Sequence, residues 1–174
     1  SLLFFIISGL FITSKTSWAL LKYSKNNLNE AEIIILYGSE TGSTYQFVKK
    51  LLKKLRNRGN KVAICKLNKY KAFPNAEKFI IMTSTYGEGE PPSNANLFEL
   101  KFQKYNQGKS IDYAVLGFGS KSYPKFCKFA EVINFAMSRE KNYSELYPLF
   151  KINKQNMSDY LSWEEKICAR INSF

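Results

Sequence analysis

Three short loops of this 174-residue chain carry side chains whose chemistry suits a ligand. The first, residues 38–44, contains two glycines and leads directly into a helical pattern. It carries the hydroxyls of Ser39, Thr41, Ser43 and Thr44. Hydroxyl donors, glycines that let backbone amides converge, and a helix N-terminus together favour a bound phosphate. The Gly-Lys-Ser/Thr ending of a Walker loop is absent, so the pattern indicates a monophosphate. A Ser/Thr-rich turn that only caps a helix is the alternative.

The second and third loops each place a tyrosine beside two glycines. Residues 83–92 read TSTYGEGEPP and contain Tyr86, and residues 117–124 read GFGSKSYP and contain Tyr123. Aromatic side chains on two neighbouring loops can sandwich a flat ring, and the glycines let the backbone approach the ring edge. Each motif alone is weak evidence, because GxG pairs and exposed Tyr-Gly turns are common.

The composition narrows the chemistry further. The chain has no histidine, which excludes Ser-His-Asp and Cys-His catalysis and nearly every transition-metal site. Cys65, Cys127 and Cys168 lie far apart, so neither a disulfide framework nor a zinc site is indicated, and a reducing compartment fits. We therefore predict no catalytic side chain and no metal, and we expect the chemistry to belong to a cofactor.

The formal net charge of +12 raises the question of a nucleic-acid partner. The lysines are scattered through predicted helices and loops rather than gathered with aromatics into a stripe, so no nucleic-acid partner is expected. A membrane or an acidic protein partner explains the basic surface as well. A general bias toward Lys and Asn explains it without any partner.

The elements that must position these loops follow from the hydrophobic pattern. From Ile33 onward, short apolar runs alternate with amphipathic stretches, which predicts βαβ units and a parallel sheet in a three-layer α/β/α sandwich. All three loops then follow the carboxyl ends of central strands, where open α/β sheets bind ligands. The predicted strands are 33–37, 62–67 at an edge, 78–84, 111–116 and 145–152. The predicted helices are 44–58, 94–105, 125–139 and a last one capped by Ser158.

In this order and register, the runs ILYGSETGSTYQF, TSTYGEGEPPSNA and VLGFGSKSYPKFC resemble the FMN-binding domain of the diflavin reductases. That family includes cytochrome P450 reductase, the flavoprotein of sulfite reductase and nitric oxide synthase reductase. The resemblance covers residues 33–174, which we take as one flavodoxin-like domain. It implies a five-stranded parallel sheet of order 2-1-3-4-5 and FMN as the cofactor.

The resemblance also implies roles for individual residues. The first loop would hold the FMN phosphate, Tyr86 would cover one face of the isoalloxazine and Tyr123 the other, and Gly87 would meet flavin N5 through its backbone. The family often has an acidic residue after the last strand, near the ribityl chain, where this sequence reads FKINKQN. The expected cofactor-binding residues are Ser39, Glu40, Thr41, Gly42, Ser43, Thr44, Ser84, Thr85, Tyr86, Gly87, Gly89, Leu116, Gly117, Phe118, Gly119, Ser120, Tyr123, Phe126 and Cys127.

Residues 1–25 are predicted to lie at a membrane. Residues 2–12 read LLFFIISGLFI, too short to span a bilayer alone but typical of the C-terminal part of a transmembrane helix. Lysines and interfacial aromatics follow, a pattern that places the downstream domain in the cytoplasm. A signal peptide, or a buried or interfacial helix, is the alternative. The segment also looks like the membrane stretch of bacterial PepSY-type flavoproteins, and residues 26–32 are then a linker.

The resemblance implies an electron-transfer domain that relays electrons singly from an NADPH/FAD reductase module, in cis or in trans, to an acceptor. Lys121, Lys125 and Lys128, on or just after the third loop, are expected to steer an acidic partner. One alternative is a membrane-tethered interaction domain on a degenerate flavodoxin scaffold without flavin. Another is a quinone reductase that works by hydride transfer.

Overall fold

The strands form where the chain has its apolar runs. A computed structural model describes residues 26–172, and within them five parallel strands pair in the order β2-β1-β3-β4-β5. The predicted fold and strand order are confirmed. Strand β1 is fully buried, as expected of a central parallel strand covered on both faces. The strands are β1 Ile33–Gly38, β2 Val62–Lys66, β3 Lys78–Ser84, β4 Ile111–Gly119 and β5 Tyr143–Asn153.

Helices cover both faces of the sheet and divide the core into two clusters. Side chains of α1 and α4 pack on one face, and those of α2 and α3 pack on the other. Alternation along β1 serves both clusters, because Ile34 and Leu36 point to the α2 and α3 side while Ile33 and Ile35 point to the other. The helices are α1 Ser43–Asn57, α2 Phe98–Lys104, α3 Lys128–Ser138 and α4 Met157–Ile171, and a 3₁₀ turn spans Leu67–Lys69.

Strand β4 is longer than predicted, and this shortens the third loop. Gly117 and Phe118 read as loop residues in the sequence, but they pair with Thr83 and Ser84 of β3. The Phe118 ring is buried and stacks on Phe47 of α1, with 4.8 Å between ring centroids. Packing against a helix that is distant in sequence therefore continues the strand through a GxG motif.

Three predicted helices begin elsewhere: α3 starts at Lys128, three residues after its predicted start at residue 125, and α2 and α4 differ as follows. Helix α2 begins only at Phe98, since the preceding residues form turns in which the Leu97 N–H donates to Asn68 Oδ1. The Leu97 side chain is exposed. Helix α4 is capped by Asn156 and not by Ser158, because Asn156 Oδ1 accepts from the Asp159 N–H at 3.0 Å. Local side-chain pairing decides the starts of α2 and α4.

The predicted membrane segment, residues 1–25, lies outside the described residues. Between residues 26 and 172, no helix is long and apolar enough to cross a bilayer. The predicted linker lies along the edge of the sheet. There, the Asn26 side-chain amide donates to Ile64 O at 2.9 Å and accepts from the Ile64 N–H at 2.6 Å. The first described residue, Asn26, therefore lies against strand β2.

Candidate functional site

A cleft of about 530 Å³ opens at the carboxyl ends of the strands. Residues from all three sequence-predicted loops meet there, together with the turn that follows β5. This is the edge at which parallel sheets of this type bind ligands. The cleft is lined by Glu40, Thr41, Ser43, Ser84, Thr85, Tyr86, Gly87, Phe118, Gly119, Ser120, Tyr123, Lys154 and Gln155.

The first loop is held by polar contacts to a neighbouring turn. The Ser39 N–H donates to Asn94 Oδ1 at 2.9 Å, and the Glu40 carboxylate accepts from the Ser93 N–H at 2.6 Å. Gly42 then adopts φ +82°, a left-handed conformation that lets the chain turn into α1 without a side-chain clash. No side chain caps α1, so the first N–H groups of a 15-residue helix face this loop.

Two buried hydroxyls of this loop have no protein partner. Ser39 Oγ and Thr44 Oγ1 make no hydrogen bond to any residue of the described chain. Thr44 is completely buried and Ser39 nearly so. A desolvated donor without an acceptor costs about 1–3 kcal/mol, so such a pair of donors beside an uncapped helix fits an anionic group. The loop therefore fits the monophosphate that its sequence indicates.

The second loop folds back on itself and presents Tyr86. The Tyr86 N–H donates to Glu90 O at 2.9 Å, and the Glu90 N–H donates back to Tyr86 O at 2.8 Å. Gly87 lies at φ +48°, a left-handed conformation that favours glycine, and a Cβ there would displace the Glu90 carboxylate, whose Oε2 would stand 2.1 Å away. The Tyr86 side chain remains 57% exposed on the wall of the cleft.

The third loop presents Tyr123 on the wall of the cleft, where the residue is 63% exposed. Two hydrogen bonds tie this loop to the turn after β5: the Lys121 N–H donates to Asn153 Oδ1 at 2.9 Å, and the Lys154 N–H donates to Gly119 O at 2.8 Å. Two exposed tyrosines on one cleft offer aromatic faces against which a flat ring can stack. Their placement suits a planar ring.

Two lining residues, Lys154 and Gln155, were not identified from the sequence. Both have left-handed φ angles, 48° and 55°, which cost a non-glycine residue about 1–3 kcal/mol each. They lie within FKINKQN, the stretch where the family often has an acidic residue. The absence of an acidic residue from that stretch was the available signal, and the structure places the Lys154 side of the turn on the cleft.

The remaining expected residues lie around the cleft and not on it. Ser39, Gly42 and Thr44 belong to the first loop and the first turn of α1 without lining the cleft, while Leu116 is buried in the core and Gly117 packs against Ala130 of α3. Gly89 lies under Lys125. Phe126 and Cys127 line a recess of about 20 Å³ beside it. Burial raises the pKa of the Cys127 thiol to about 12, so this cysteine is a packing residue here and not a nucleophile.

The charges beside the third loop are not equivalent. Lys128 and Lys151 both bind the Glu131 carboxylate, and the hydrogen bond from Lys151 is the main reason why the pKa of Glu131 is lowered. Lys121 lies over the Phe126 ring at 5.9 Å, and Lys125 is exposed. Of the three lysines that the sequence suggested for steering a partner, Lys128 is therefore partly neutralised by Glu131.

Comparison with known proteins points in one direction. The flavodoxin family matches residues 35–163. The chain is 32% identical over 153 residues to the sulfite reductase [NADPH] flavoprotein alpha-component of Buchnera aphidicola, which covers 83% of this chain and 25% of that protein. It is 33% identical over 107 residues to the inducible nitric oxide synthase of Rattus norvegicus, covering 60% of this chain and 9% of that one. The chain thus spans about a quarter or less of these relatives.

Solved structures share the fold. Flavodoxin 1 from Bacillus cereus superposes with a TM-score of 0.70 at 14% identity, covering 82% of this chain and 98% of that one. A flavodoxin from Streptococcus pneumoniae superposes with a TM-score of 0.67 at 24% identity, covering 79% of this chain and 98% of that one. At these identities the likeness speaks for the fold alone.

Proposed function

This chain belongs to the flavodoxin family, and on that premise we propose that it is an FMN-binding electron-transfer domain that receives electrons from an NADPH/FAD reductase module and passes them on singly. Its relatives by sequence are components of diflavin reductases. The name of the sulfite reductase relative refers to NADPH, and the flavodoxin match accounts for residues 35–163 of this chain. The reductase module is therefore proposed to lie on another chain or on another part of a longer one.

The observation that carries the proposal is the pairing, on one cleft, of an uncapped hydroxyl loop with two exposed tyrosines. Ser39 and Thr44 supply donors that the protein itself leaves unpaired, which suits a phosphate. Tyr86 and Tyr123 supply aromatic faces that are open to solvent, which suits a ring. FMN carries both groups, and when bound it supplies the one-electron chemistry.

The residues of the chain have distinct tasks in this proposal. Thr41, Ser43 and the α1 amides orient the phosphate, which fixes the register of the ring in the cleft. Tyr86 and Tyr123 exclude water from the ring faces. The Gly87 backbone, which carries no side chain, would hold a hydrogen bond at flavin N5. Because both tyrosines lie at the surface, an electron partner can approach the cofactor edge without opening the core.

The location is proposed separately. The sequence of residues 1–25 supports a membrane tether, with the domain on the cytoplasmic side. The electron acceptor is proposed to be a protein that reaches the cleft from that side. A scaffold that had lost its flavin would have no reason to keep two buried hydroxyls without partners, so the degenerate-scaffold alternative is not favoured.

The test is the identity of the flavin that co-purifies with the full chain. Mass spectrometry of the released cofactor should find FMN, and riboflavin should bind the flavin-free protein roughly 100-fold more weakly because it lacks the phosphate. FAD at stoichiometric occupancy, or equal affinity for FMN and riboflavin, would show that the first loop does not hold a terminal phosphate. A colourless protein that cannot be reconstituted with FMN would support the degenerate scaffold.

A further inference from the structure

Three lysines lie on the solvent-exposed face of α1, near the middle of the helix. Lys49, Lys50 and Lys53 are exposed there, and the helix contains no acidic residue. Successive helical residues are about 100° apart, so these three side chains share an arc of about 100°. Within residues 26–172 none of the three forms an ion pair. We call these three residues the α1 lysine face.

This face contrasts with the other cations of the same helix. Lys54 binds the buried Glu164 carboxylate at 2.6 Å, and the Arg56 guanidinium donates to Val62 O at 2.9 Å. The helix thus pairs the cations that turn toward the protein with anionic or carbonyl groups, whereas in the described chain the outer three have no anionic partner and only Lys49 lies over a ring, that of Tyr45 at 5.4 Å. Like charges three and four residues apart repel each other along a helix. An anionic surface outside the protein would relieve that repulsion.

The path of the chain indicates where such a surface lies. Asn26 is fixed to Ile64 in the middle of β2, which is an edge strand. Helix α1 packs over β1 and β2, and Arg56 ties its last turn to the start of β2. The segment that precedes Asn26 therefore joins the domain beside β2, one of the two strands over which α1 packs. In sequence, that segment is an apolar run followed by Lys15, Lys22 and Lys25.

We propose that the α1 lysine face docks on an anionic lipid surface, at the membrane where residues 1–25 are expected to lie. Lipid is favoured over nucleic acid or an acidic protein because the apolar run joins the domain at this same edge. Docking along α1 would turn the face of the sheet that α1 covers toward the membrane. The cleft at the strand ends then opens sideways, toward partners held in the same membrane.

The direct test is a lysine footprint of the full chain on vesicles. The chain is bound to vesicles of phosphatidylcholine alone, or of phosphatidylcholine with phosphatidylserine, and labelled with an amine-reactive reagent before mass spectrometry. Labelling of Lys49, Lys50 and Lys53 should fall roughly tenfold on the anionic vesicles and recover in high salt. Labelling of Lys104 and Lys141, on the α2 and α3 side, should be the same on both.

A matched pair of triple variants separates docking from net charge. Lys49→Gln/Lys50→Gln/Lys53→Gln and Lys104→Gln/Arg139→Gln/Lys141→Gln each remove three exposed charges. The ratio of partitioning into anionic over neutral vesicles should fall roughly 100-fold in the first and stay near the wild-type value in the second.

Other outcomes overturn the docking. An equal fall in both variants would mean that only net charge matters. Protection of the α1 lysine face by RNA but not by anionic vesicles would assign it to nucleic acid. A chain that floats with neutral vesicles but shows no added protection on anionic ones would keep the tether and refute the docking, and a chain that floats with neither would refute both. FMN content, measured on the same samples, reports separately on the proposed function.

Discussion

Replacing Thr44 with Val should stabilise the flavin-free protein and weaken its binding of FMN. Thr44 Oγ1 is fully buried and meets no acceptor in the described chain. Valine keeps the shape and removes the hydroxyl, so the flavin-free protein loses only a desolvated donor. The proposed complex loses a hydrogen bond to a charged phosphate oxygen. The two effects have opposite signs, which few substitutions in a buried site would produce.

The magnitudes follow from the burial. An unsatisfied buried hydroxyl costs about 1–3 kcal/mol, so the free energy of unfolding of the flavin-free protein should rise by up to that amount. For a chain of this size each kcal/mol raises Tm by about 2–4 °C. A hydrogen bond to a charged group contributes about 1.5–3 kcal/mol, so the Kd for FMN should rise roughly 10- to 150-fold.

Thr83→Val is the matched control. Thr83 is equally buried, but its Oγ1 donates to Ser84 O at 3.2 Å, so its loss should lower the stability of the flavin-free protein and leave FMN affinity unchanged. Thermal unfolding without flavin, and calorimetric titration with FMN and riboflavin, measure both quantities. Riboflavin affinity should not respond to Thr44→Val. If Thr44→Val destabilises the flavin-free protein as the control does and binds FMN normally, the phosphate lies elsewhere.

Three further changes test the surroundings of the cleft. Lys154→Gln removes a cation from the cleft wall, so the potential of the second electron should become more negative in a redox titration; an unchanged potential would place this lysine away from the ring. Lys125→Gln should slow association with an acidic partner in stopped flow at low salt, whereas Lys128→Gln should matter less because Glu131 already pairs with it; equal effects would contradict this. Burial raises the pKa of Cys127 to about 12, so the thiol stays protonated at pH 8 and should resist iodoacetamide until the protein unfolds; rapid labelling of the native protein would contradict its burial.

The hydrophobic pattern was sufficient for the sheet but not for every boundary. Strand β3 begins and ends where its apolar run does, because both of its faces are buried. Strand β4 could not be followed past Leu116, since Gly117 and Gly119 look like turn residues in the sequence. A Cβ at Gly117 would stand 2.7 Å from the Ala130 Cβ, so close packing with α3 is what requires glycine there. That requirement is tertiary and leaves no local signature.

The site divides in the same way. The hydroxyl loop and the two tyrosine loops could be predicted from the sequence because each carries its residue types in one short run, and the sheet brings these runs together. The position of Lys154 on the cleft could not be predicted, because it depends on two long-range hydrogen bonds, from Lys121 to Asn153 and from Lys154 to Gly119. The pairing of β5 with β4 also contains register shifts near Ala114, which no pattern in the sequence announces. The sequence motifs therefore predicted the three loops of the cleft, whereas the contribution of the turn after β5 is seen only in the structure.

A spectroelectrochemical titration of the full chain loaded with FMN shows whether this domain carries electrons singly. FMN should be retained through the titration and reduced in two resolved one-electron steps, with the spectrum of the one-electron-reduced flavin visible between them. Tyr123→Ala should shift both potentials, because the ring would lose one aromatic face. Reduction in a single two-electron step, or potentials that ignore Tyr123, would contradict an electron carrier built on this cleft.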